Sequence, residues 1–178
     1  MNFVVTDHHA GPPPLTLRSL TQASASALQS VYAASTEYFV QATGSPPAPD
    51  QAAFDLAEAA GDDGRFLLGI YLQDEIVGVL DVRLADPEPF DVRLGLILLA
   101  EPTRGQGLGS WALRILEEWL RQATPSKAVV LTVMAQDHAA QRFFLRHGYG
   151  YSGQSTRVLT SDIRSRLLFM RKTLGVPS

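Results

Sequence analysis

Residues 94–119 read LGLILLAEPTRGQGLGSWALRILEEW and place three patterns directly after one another. The first, residues 94–100, is almost entirely apolar and predicts a buried strand. The last, residues 112–122, has apolar residues at helical spacing. Between them stand three glycines at alternate positions from 105 to 109, although glycine weakens strands and helices because its backbone loses the most entropy on folding.

A glycine-rich connection before a helix suits an anion. The first N–H groups of a helix lack partners and carry partial positive charge, and residues without side chains let a phosphate approach the backbone. A tight turn that needs positive φ is the alternative. The P-loop pattern is absent, and GxGxxG fails because Ser110 stands at its last position. The pattern present is Arg-x-x-Gly-x-Gly, formed by Arg104, Gly107 and Gly109.

The rest of the chain supplies further strand and helix patterns. Strands are predicted at 15–20, 65–72, 76–84, 92–100, 128–135, 153–159 and 167–173, and helices at 22–34, 51–60, 110–122 and 138–147. Segment 36–49 is aromatic, then rich in Gly and Pro, and predicts a long structured loop. A helix that crosses between two apolar strands implies a parallel pair. We therefore predict an α/β fold of the α+β type, with a mixed sheet and helices on both faces.

Composition sets further bounds. With 178 residues, 46% of them hydrophobic, the chain predicts a single domain over 15–178 after a flexible arm at 1–14. A net charge of −3 argues against a nucleic-acid partner. There is no cysteine and the four histidines lack ligand spacing, so we expect no metal. No apolar run approaches the ~20 residues of a membrane helix and no secretion signal is seen, which favours a cytoplasmic protein without a membrane partner.

Two blocks of the sequence resemble the GNAT superfamily of acyl-CoA-dependent N-acetyltransferases. Residues 94–119 resemble its core motif of strand, pyrophosphate loop and helix. Residues 131–149, LTVMAQDHAAQRFFLRHGY, resemble the next strand and the short helix that ends in a Gly-aromatic pair. The resemblance covers roughly residues 65–173. It implies a mostly antiparallel sheet whose central parallel strands splay apart, with acetyl-CoA bound in the cleft between them as co-substrate.

The resemblance also implies where the coenzyme binds. The end of the first strand would hydrogen-bond the pantetheine arm beside a bulge, the loop amides would hold the pyrophosphate, and the short helix would form a wall along the thioester. Asp137 stands where the family often has Asn, and it can cap its helix or accept a hydrogen bond from the coenzyme. Arg146 would meet the adenosine phosphates or remain solvated. The implied coenzyme residues are Ile97, Leu98, Leu99, Arg104, Gly105, Gln106, Gly107, Leu108, Gly109, Ser110, Asp137, Ala140, Phe143, Phe144 and Arg146.

The family chemistry needs donors for a developing oxyanion and a thiolate that leaves. The N–H of Leu98 or Leu99 would serve as the oxyanion donor, and Leu99 is our assignment. Many members carry a tyrosine acid on the short helix, where this chain has Phe144. Tyr149, Tyr151 or a water would replace it, or the thiolate would leave unassisted. Tyr149 is our candidate acid.

Three carboxylates are candidates for the general base, which works best when burial raises its pKa. They are Asp91, Asp81 and Glu37, and Asp91 is our assignment, with a structural carboxylate as the alternative. We assign Tyr38, Phe39 and Asp81 to the wall of the acceptor pocket, where ordinary core packing is the alternative for the aromatic residues.

The leading function is transfer of an acetyl group from acetyl-CoA to a primary amine of a small molecule or protein, by direct attack on the thioester. The alternative is a non-catalytic acyl-CoA-binding module, which Phe144 leaves open. A different nucleotide-phosphate binder is a third hypothesis. Exposed strands near the C-terminus could pair in a homodimer. Glu117 and Glu118, on the helix after the glycines, are expected to lie on a solvated face.

Overall fold

The structure, a computed structural model, describes residues 4–6, 15–160 and 163–175. Within them the strands are β1 (Val4–Thr6), β2 (Leu15–Ser19), β3 (Arg65–Leu72), β4 (Glu75–Leu84), β5 (Asp91–Leu99), β6 (Ala128–Met134), β7 (Gly150–Thr160) and β8 (Ile163–Thr173). The α-helices are α1 (Ala25–Ala33), α2 (Thr36–Thr43), α3 (Gln51–Ala60), α4 (Leu108–Ala123) and α5 (His138–Arg146). Short 3₁₀ turns lie at Gln22–Ser24 and Glu101–Thr103.

The predicted N-terminal arm falls mostly outside the described residues. Residues 1–3 and 7–14 are not among them, whereas Val4–Thr6 form β1, which pairs antiparallel with β2. The division of the chain into an arm and a single domain over residues 15–178 therefore stays a prediction.

The described strands form one sheet in the order β1-β2-β3-β4-β5-β6-β8-β7. Neighbouring strands are antiparallel except β5 and β6, which run parallel and are connected by α4. Parallel neighbours need such a crossover, and the helical pattern of residues 110–122 supplies it. The predicted mixed, mostly antiparallel sheet with a central parallel pair is confirmed.

Helices cover both faces of the sheet, as predicted. Helix α4 buries a stripe that includes Leu113, Leu116 and Leu120, and α5 packs against the same core. Burying each leucine stabilises the fold by about 1.5–3 kcal/mol. Helices α1, α2 and α3 pack on the opposite face, against side chains that alternate with those of the first core along β3 and β4. The site therefore lies between two well-packed layers.

Two elements differ from the sequence-based expectation. The segment predicted as a loop over 36–49 begins with α2, which ends where Gly44 takes a φ of 83°. Packing of Phe39 into the core stabilises this eight-residue helix, which is too short to be stable alone. The β7–β8 ribbon is also longer than predicted, because β7 starts at 150 and β8 at 163.

The parallel strand pair opens toward its carboxyl end. The β5–β6 ladder ends at Leu94 and Leu131, although β5 continues to Leu99 and β6 to Met134. At the same point the register between β4 and β5 skips Gly95, which forms a β-bulge. A bulge bends its strand and increases the local twist. The bulge at Gly95 precedes the end of β5, where the resemblance had implied a bulge. Beyond Gly95, β5 and β6 separate.

Candidate active site

A cleft of about 750 Å³ opens beside the diverging end of β5. Its walls come from the end of β5, the glycine loop with the start of α4, helix α5, and helix α2. Helix α2 contributes Glu37, Tyr38 and Gln41. Gln106 turns its amide back to the carbonyl of Pro102, 3.2 Å away. All the other predicted coenzyme residues line the cleft: Ile97, Leu98, Leu99, Arg104, Gly105, Gly107, Leu108, Gly109, Ser110, Asp137, Ala140, Phe143, Phe144 and Arg146.

The main chain of β5 presents polar groups to the cleft at alternate residues. The N–H of Ala100 donates to the carbonyl of Val77 at 2.9 Å, so these residues form a hydrogen-bonded pair of the β4–β5 ladder. Such pairs alternate along an antiparallel ladder. Leu98 therefore also directs its N–H and carbonyl to β4, whereas Ile97 and Leu99 direct theirs toward the gap that β6 leaves. Of the two predicted oxyanion donors, Leu99 has its N–H on the cleft side.

Two side chains hold the carbonyl of Leu99. Nε of Arg104 donates to it at 2.9 Å, and Oγ of Ser35 donates at 3.3 Å. Ser35 is only 1% exposed and connects α1 to α2. Beside it, the N–H of Glu101 donates to the carbonyl of Ala34 at 3.1 Å. The Leu99 backbone is thus fixed from the glycine loop and from the helices on the opposite face.

Two of the three glycines are required by backbone conformation. Gly105 and Gly107 have φ angles of 76° and 79°, a left-handed region that is unfavourable for other residues. Nothing lies within 4 Å of a Cβ placed on either residue, so conformation and not crowding selects glycine. Gly109 lies inside α4, where a Cβ would stand 3.6 Å from Leu99 and 3.7 Å from Phe143. Its missing side chain keeps the floor of the cleft open.

The start of α4 is polarised to receive an anion. Gly107 is the N-cap residue and has no side chain to cap the helix. The N–H of Trp111 donates to the carbonyl of Gly107 at 3.2 Å, so the amides of residues 108–110 have no carbonyl partner within the helix. Arg104 and Arg146 add cationic groups to the same lining. This end of the cleft is suited to a diphosphate.

Helix α5 forms an apolar wall of the cleft next to the start of α4. Oδ1 of Asp137 accepts the N–H of Ala140 at 2.9 Å, so Asp137 caps the helix while it also borders the cleft. The rings of Phe143 and Phe144 pack edge to face with centroids 5.1 Å apart, and Phe144 is only 5% exposed. The side chain at the position of the usual family acid is therefore a fixed apolar surface.

The structure does not bring Tyr149 into the cleft. Its ring is almost fully buried, and its hydroxyl donates to Oε1 of Glu117 at 2.9 Å. Burial, reinforced by the charge of Glu117, raises the pKa of Tyr149 far above its usual value. A weakened acid already bonded to a carboxylate is unsuited to protonate a thiolate. The other candidate, Tyr151, donates to the amide oxygen of Gln141 at 2.9 Å.

The expectation that Glu117 lies on a solvated face is wrong. The residue is 4% exposed, and Oε2 accepts a hydrogen bond from Nζ of Lys172 at 2.6 Å. The reason is that Lys172 on β8 supplies the countercharge that a buried carboxylate needs. Glu118, by contrast, is exposed as predicted.

Asp91 lies at the opposite end of β5 from Leu99. Its carboxylate accepts two hydrogen bonds from Arg171, at 2.6 Å from Nη1 and 2.8 Å from Nη2. Asp91 and Leu99 are the first and last residues of this nine-residue strand, which places them about 26 Å apart. The structure therefore gives Asp91 a structural partner and does not place it near the cleft.

The two remaining predicted acceptor residues are also engaged elsewhere. Asp81 accepts hydrogen bonds from Arg65, the shortest at 2.8 Å, so its charge is already paired. Phe39 is buried and packs edge to face on Tyr32, with ring centroids 4.9 Å apart. Neither residue lines the cleft.

Tyr38 does line the cleft. Burial raises its pKa, and the nearby charges of Asp81 and Asp55 act in the same direction, so the hydroxyl stays protonated at neutral pH. Glu37 precedes it on the same wall and accepts a hydrogen bond from Gln41 at 3.3 Å. The acceptor side of the cleft thus combines a phenol and an exposed carboxylate.

Sequence reasoning missed Ser35 and His147. Nε2 of His147 lies 2.9 Å from Oγ of Ser110, at the start of α4. Burial lowers the pKa of His147, which keeps the imidazole neutral at pH 7. Neither residue belongs to a local pattern, because Ser35 meets Leu99 across 64 positions and His147 meets Ser110 across 37.

Two kinds of feature are absent from the part of the chain that the structure describes. It contains no cluster of three His, Cys, Asp or Glu side chains that could hold a metal ion. It also contains no helix with the length and apolar character needed to span a bilayer.

The model of the Acetyltransferase (GNAT) family matches residues 28–149, a range that includes every residue that lines the cleft. The chain belongs to this GNAT family. None of the curated proteins has a sequence that matches it.

Solved structures of acetyltransferases resemble this GNAT chain over most of its length. An acetyltransferase from Thermus thermophilus is 27% identical, with a TM-score of 0.75 over 90% of this chain and 97% of that one. The L7/L12 N-terminal serine acetyltransferase of Salmonella typhimurium is 14% identical, with a TM-score of 0.79 over 97% and 100%. The aminoglycoside acetyltransferase AAC(6′)-Ib, solved with coenzyme A, is 20% identical, with a TM-score of 0.71 over 89% and 94%. The last two support the fold alone.

Proposed function

We propose that this chain transfers an acetyl group from acetyl-CoA to a primary amine of a small molecule or a protein. The observation that carries the proposal is the N–H of Leu99, directed into a cleft between the apolar wall of α5 and the polarised start of α4. Membership of the family and the coenzyme in the structurally similar AAC(6′)-Ib support it.

The residues present fit the coenzyme. The two left-handed glycines and the unpaired amides of residues 108–110 offer a cradle for the pyrophosphate. Ile97 and Leu99 would pair with the amides of the pantetheine arm, as a further strand would. Phe143 and Phe144 would bound the thioester. Acetyl-CoA supplies the activated acyl group and a thiolate that leaves readily.

Positioning of the two reactants and the fixed N–H dipole of Leu99 would account for most of the catalysis. Leu99 N–H would donate to the carbonyl oxygen as negative charge develops, and one such donor contributes about 2.7–4 kcal/mol. Arg104 and Ser35 hold the carbonyl of the same residue, so the donor is fixed before the reaction. Holding amine and thioester in line can contribute about 7–11 kcal/mol.

The chain need not protonate the leaving thiolate. The raised pKa of Tyr38 makes its phenol a poor proton source for a thiolate, but a good hydrogen-bond donor on the acceptor wall. Glu37 precedes Tyr38 on helix α2, is exposed, and lines the cleft. Its carboxylate would therefore meet the ammonium group of an incoming acceptor. We propose that Glu37 accepts the proton of the amine, directly or through water.

A thiol-release assay with acetyl-CoA and a broad panel of amines tests the proposal. Release that depends on both the enzyme and an amine is expected. Coenzyme binding without release would instead indicate a binding module. A thermal-shift panel adds a second criterion: at ~100 times its dissociation constant a ligand stabilises by about 2.7 kcal/mol, so acetyl-CoA, and not ATP or NAD, should raise Tm. The cytoplasmic location and the homodimer stay predictions from sequence.

A further inference from the structure

The β7–β8 ribbon extends past the end of β6. The last residue of β6, Met134, lies opposite Leu167 of β8. Residues 163–166 of β8 and their partners 157–160 of β7 therefore project beyond β6 as a two-stranded arm, which we call the distal ribbon. Since the cleft also lies at the carboxyl end of β5 and β6, the arm and the cleft share one end of the sheet.

The distal ribbon concentrates positive charge. The whole ribbon, residues 150–173, carries five basic residues and one acidic residue, in a chain of net charge −3. Arg157, Arg164 and Arg166 lie on the arm, and all three are exposed. Within the described residues, none of the three has a carboxylate partner, and Arg166 donates to Oγ of Ser155 at 3.1 and 3.2 Å.

The placement of these arginines is unfavourable for the isolated arm. Arg157 lies directly opposite Arg166 in the β7–β8 register. Like charges directly opposite each other destabilise a strand pair. Leu159 opposes Arg164 and is 67% exposed, so the arm also offers apolar surface. Within the described residues, no carboxylate neutralises these arginines and nothing covers Leu159. A surface of this kind is suited to binding a partner.

A continuous surface connects the arm to the cleft. The N–H of Ala135 donates to the carbonyl of Arg166 at 2.8 Å, which fixes the arm to the loop before α5. That loop borders a depression of about 470 Å³, lined by Gln41, Met134, Gln136, Asp137, His138 and Ala139. Gln41, Asp137 and Ala139 also line the cleft. A chain lying on the arm would therefore continue toward Leu99.

We propose that the distal ribbon docks an acidic, extended polypeptide whose amine is delivered to the cleft. The inference rests on the proposed function and specifies its acceptor. Carboxylates of the polypeptide would pair with Arg157, Arg164 and Arg166. Its main chain would pair with the edge of β8 that β6 leaves unpaired beyond Met134, in the way that edge strands accept a further strand.

A polypeptide fits the arm better than the two other possible occupants. A nucleic acid cannot pair with a strand edge, and the described residues of the arm include no aromatic side chain on which bases could stack. A second copy that met the first arm to arm would bring a second set of arginines to the first, which opposes that mode of association.

The test compares two synthetic peptides with a free amino terminus, one with a run of Glu after its first residues and one with Gln at the same positions. We expect kcat/KM to favour the Glu peptide by roughly tenfold, and added salt to erase the preference because the contacts are exposed. Arg164→Glu should reduce the preference by roughly twofold to fivefold, and the triple Glu variant should abolish it. Arg142→Glu, an equal charge change on exposed α5 away from the cleft lining, should retain it.

The outcomes separate the inference from the proposed function. Absence of thiol release with every peptide and amine overturns the function and the inference together. Equal rates on both peptides, with coenzyme turnover intact, overturn only the docking arm. So does tight binding of a single-stranded oligonucleotide that the triple variant loses, or a dimer in sedimentation that the triple variant dissociates. Thermal midpoints that match the Arg142→Glu control exclude misfolding as the cause.

Discussion

The two ends of β5 differ in how their polar groups are satisfied. At the amino end the ladder with β6 is intact, and Asp91 is bound by both terminal nitrogens of Arg171. At the carboxyl end the ladder has stopped, and the N–H of Leu99 faces a cleft. One strand thus anchors the sheet at one end and presents backbone donors at the other. The change occurs at the bulge of Gly95, within a single strand.

The residues that the sequence analysis assigned as base and acid, Asp91 and Tyr149, both lie away from the carboxyl end of β5, which we call the open end. Asp91 is held by Arg171, and Tyr149 by the Glu117–Lys172 pair. These two ionisable side chains are committed to structure, whereas the N–H of Leu99 at the carboxyl end of β5 is directed into the cleft. The comparison predicts opposite effects of substitution at the two ends.

The largest effect is expected at the open end, from Gly107→Glu. The added carboxylate would repel the coenzyme phosphates and fill the cradle, so we expect the dissociation constant of acetyl-CoA to rise at least a hundredfold, measured by calorimetry. The matched control is Gly107→Ala, which carries the same left-handed strain, about 1–2 kcal/mol, without the charge. Normal binding by the Glu variant would remove the loop assignment.

Asp91→Ala tests the amino end of β5, where the ladder with β6 is intact. Loss of two charge-assisted hydrogen bonds should lower the free energy of unfolding by about 2 kcal/mol, measured by urea denaturation. The kcat of the folded enzyme should stay within about twofold, because Asp91 does not line the cleft. Asp86→Ala, which breaks the more exposed pair with Arg93, is the control and should cost less than about 1 kcal/mol. A large fall in kcat with unchanged stability would restore Asp91 as base.

Ser35→Ala tests whether catalysis requires the Leu99 backbone to be held in place by the hydrogen bond from Ser35. Removing the hydroxyl frees one side of the Leu99 carbonyl, so we expect kcat to fall about threefold to tenfold while the dissociation constant of acetyl-CoA is unchanged. Because Ser35 does not line the cleft, this split distinguishes a positioning residue from a binding residue. Ser35→Thr, which keeps a donor, should restore part of kcat. Equal losses in binding and rate would indicate general loosening.

The smallest effect on catalysis is expected from Tyr149→Phe. The substitution removes a buried hydrogen bond to Glu117, which still pairs with Lys172, so we expect a loss of about 1 kcal/mol in stability. The pH profile of kcat should be unchanged, since the phenol is remote from the thioester. A lost alkaline limb in that profile would identify Tyr149 as the acid.

Local patterns in the sequence were sufficient for the fold class, but not for every element and only partly for the site. The glycine loop and the apolar stripe of α4 are contiguous, so spacing alone predicts the parallel pair and the anion cradle. The contacts that reassign Asp91, Tyr149 and Glu117 join residues 80, 32 and 55 positions apart, and no local period reports them. Helix α2 was missed because packing, and not propensity, stabilises it.

Two charged residues of strand β8 help to determine the register in which this strand pairs with its neighbours. Residues 167–170 read LLFM, so the hydrophobic pattern of this strand does not distinguish the native pairing from a slip by one residue. The next two residues do. Arg171 meets Asp91 and Lys172 meets Glu117, and successive side chains of a strand point to opposite faces. A one-residue slip in either direction would place a neutral residue, Met170 or Thr173, opposite one of the two carboxylates, so this adjacent pair of charges favours the correct insertion of β8 between β6 and β7.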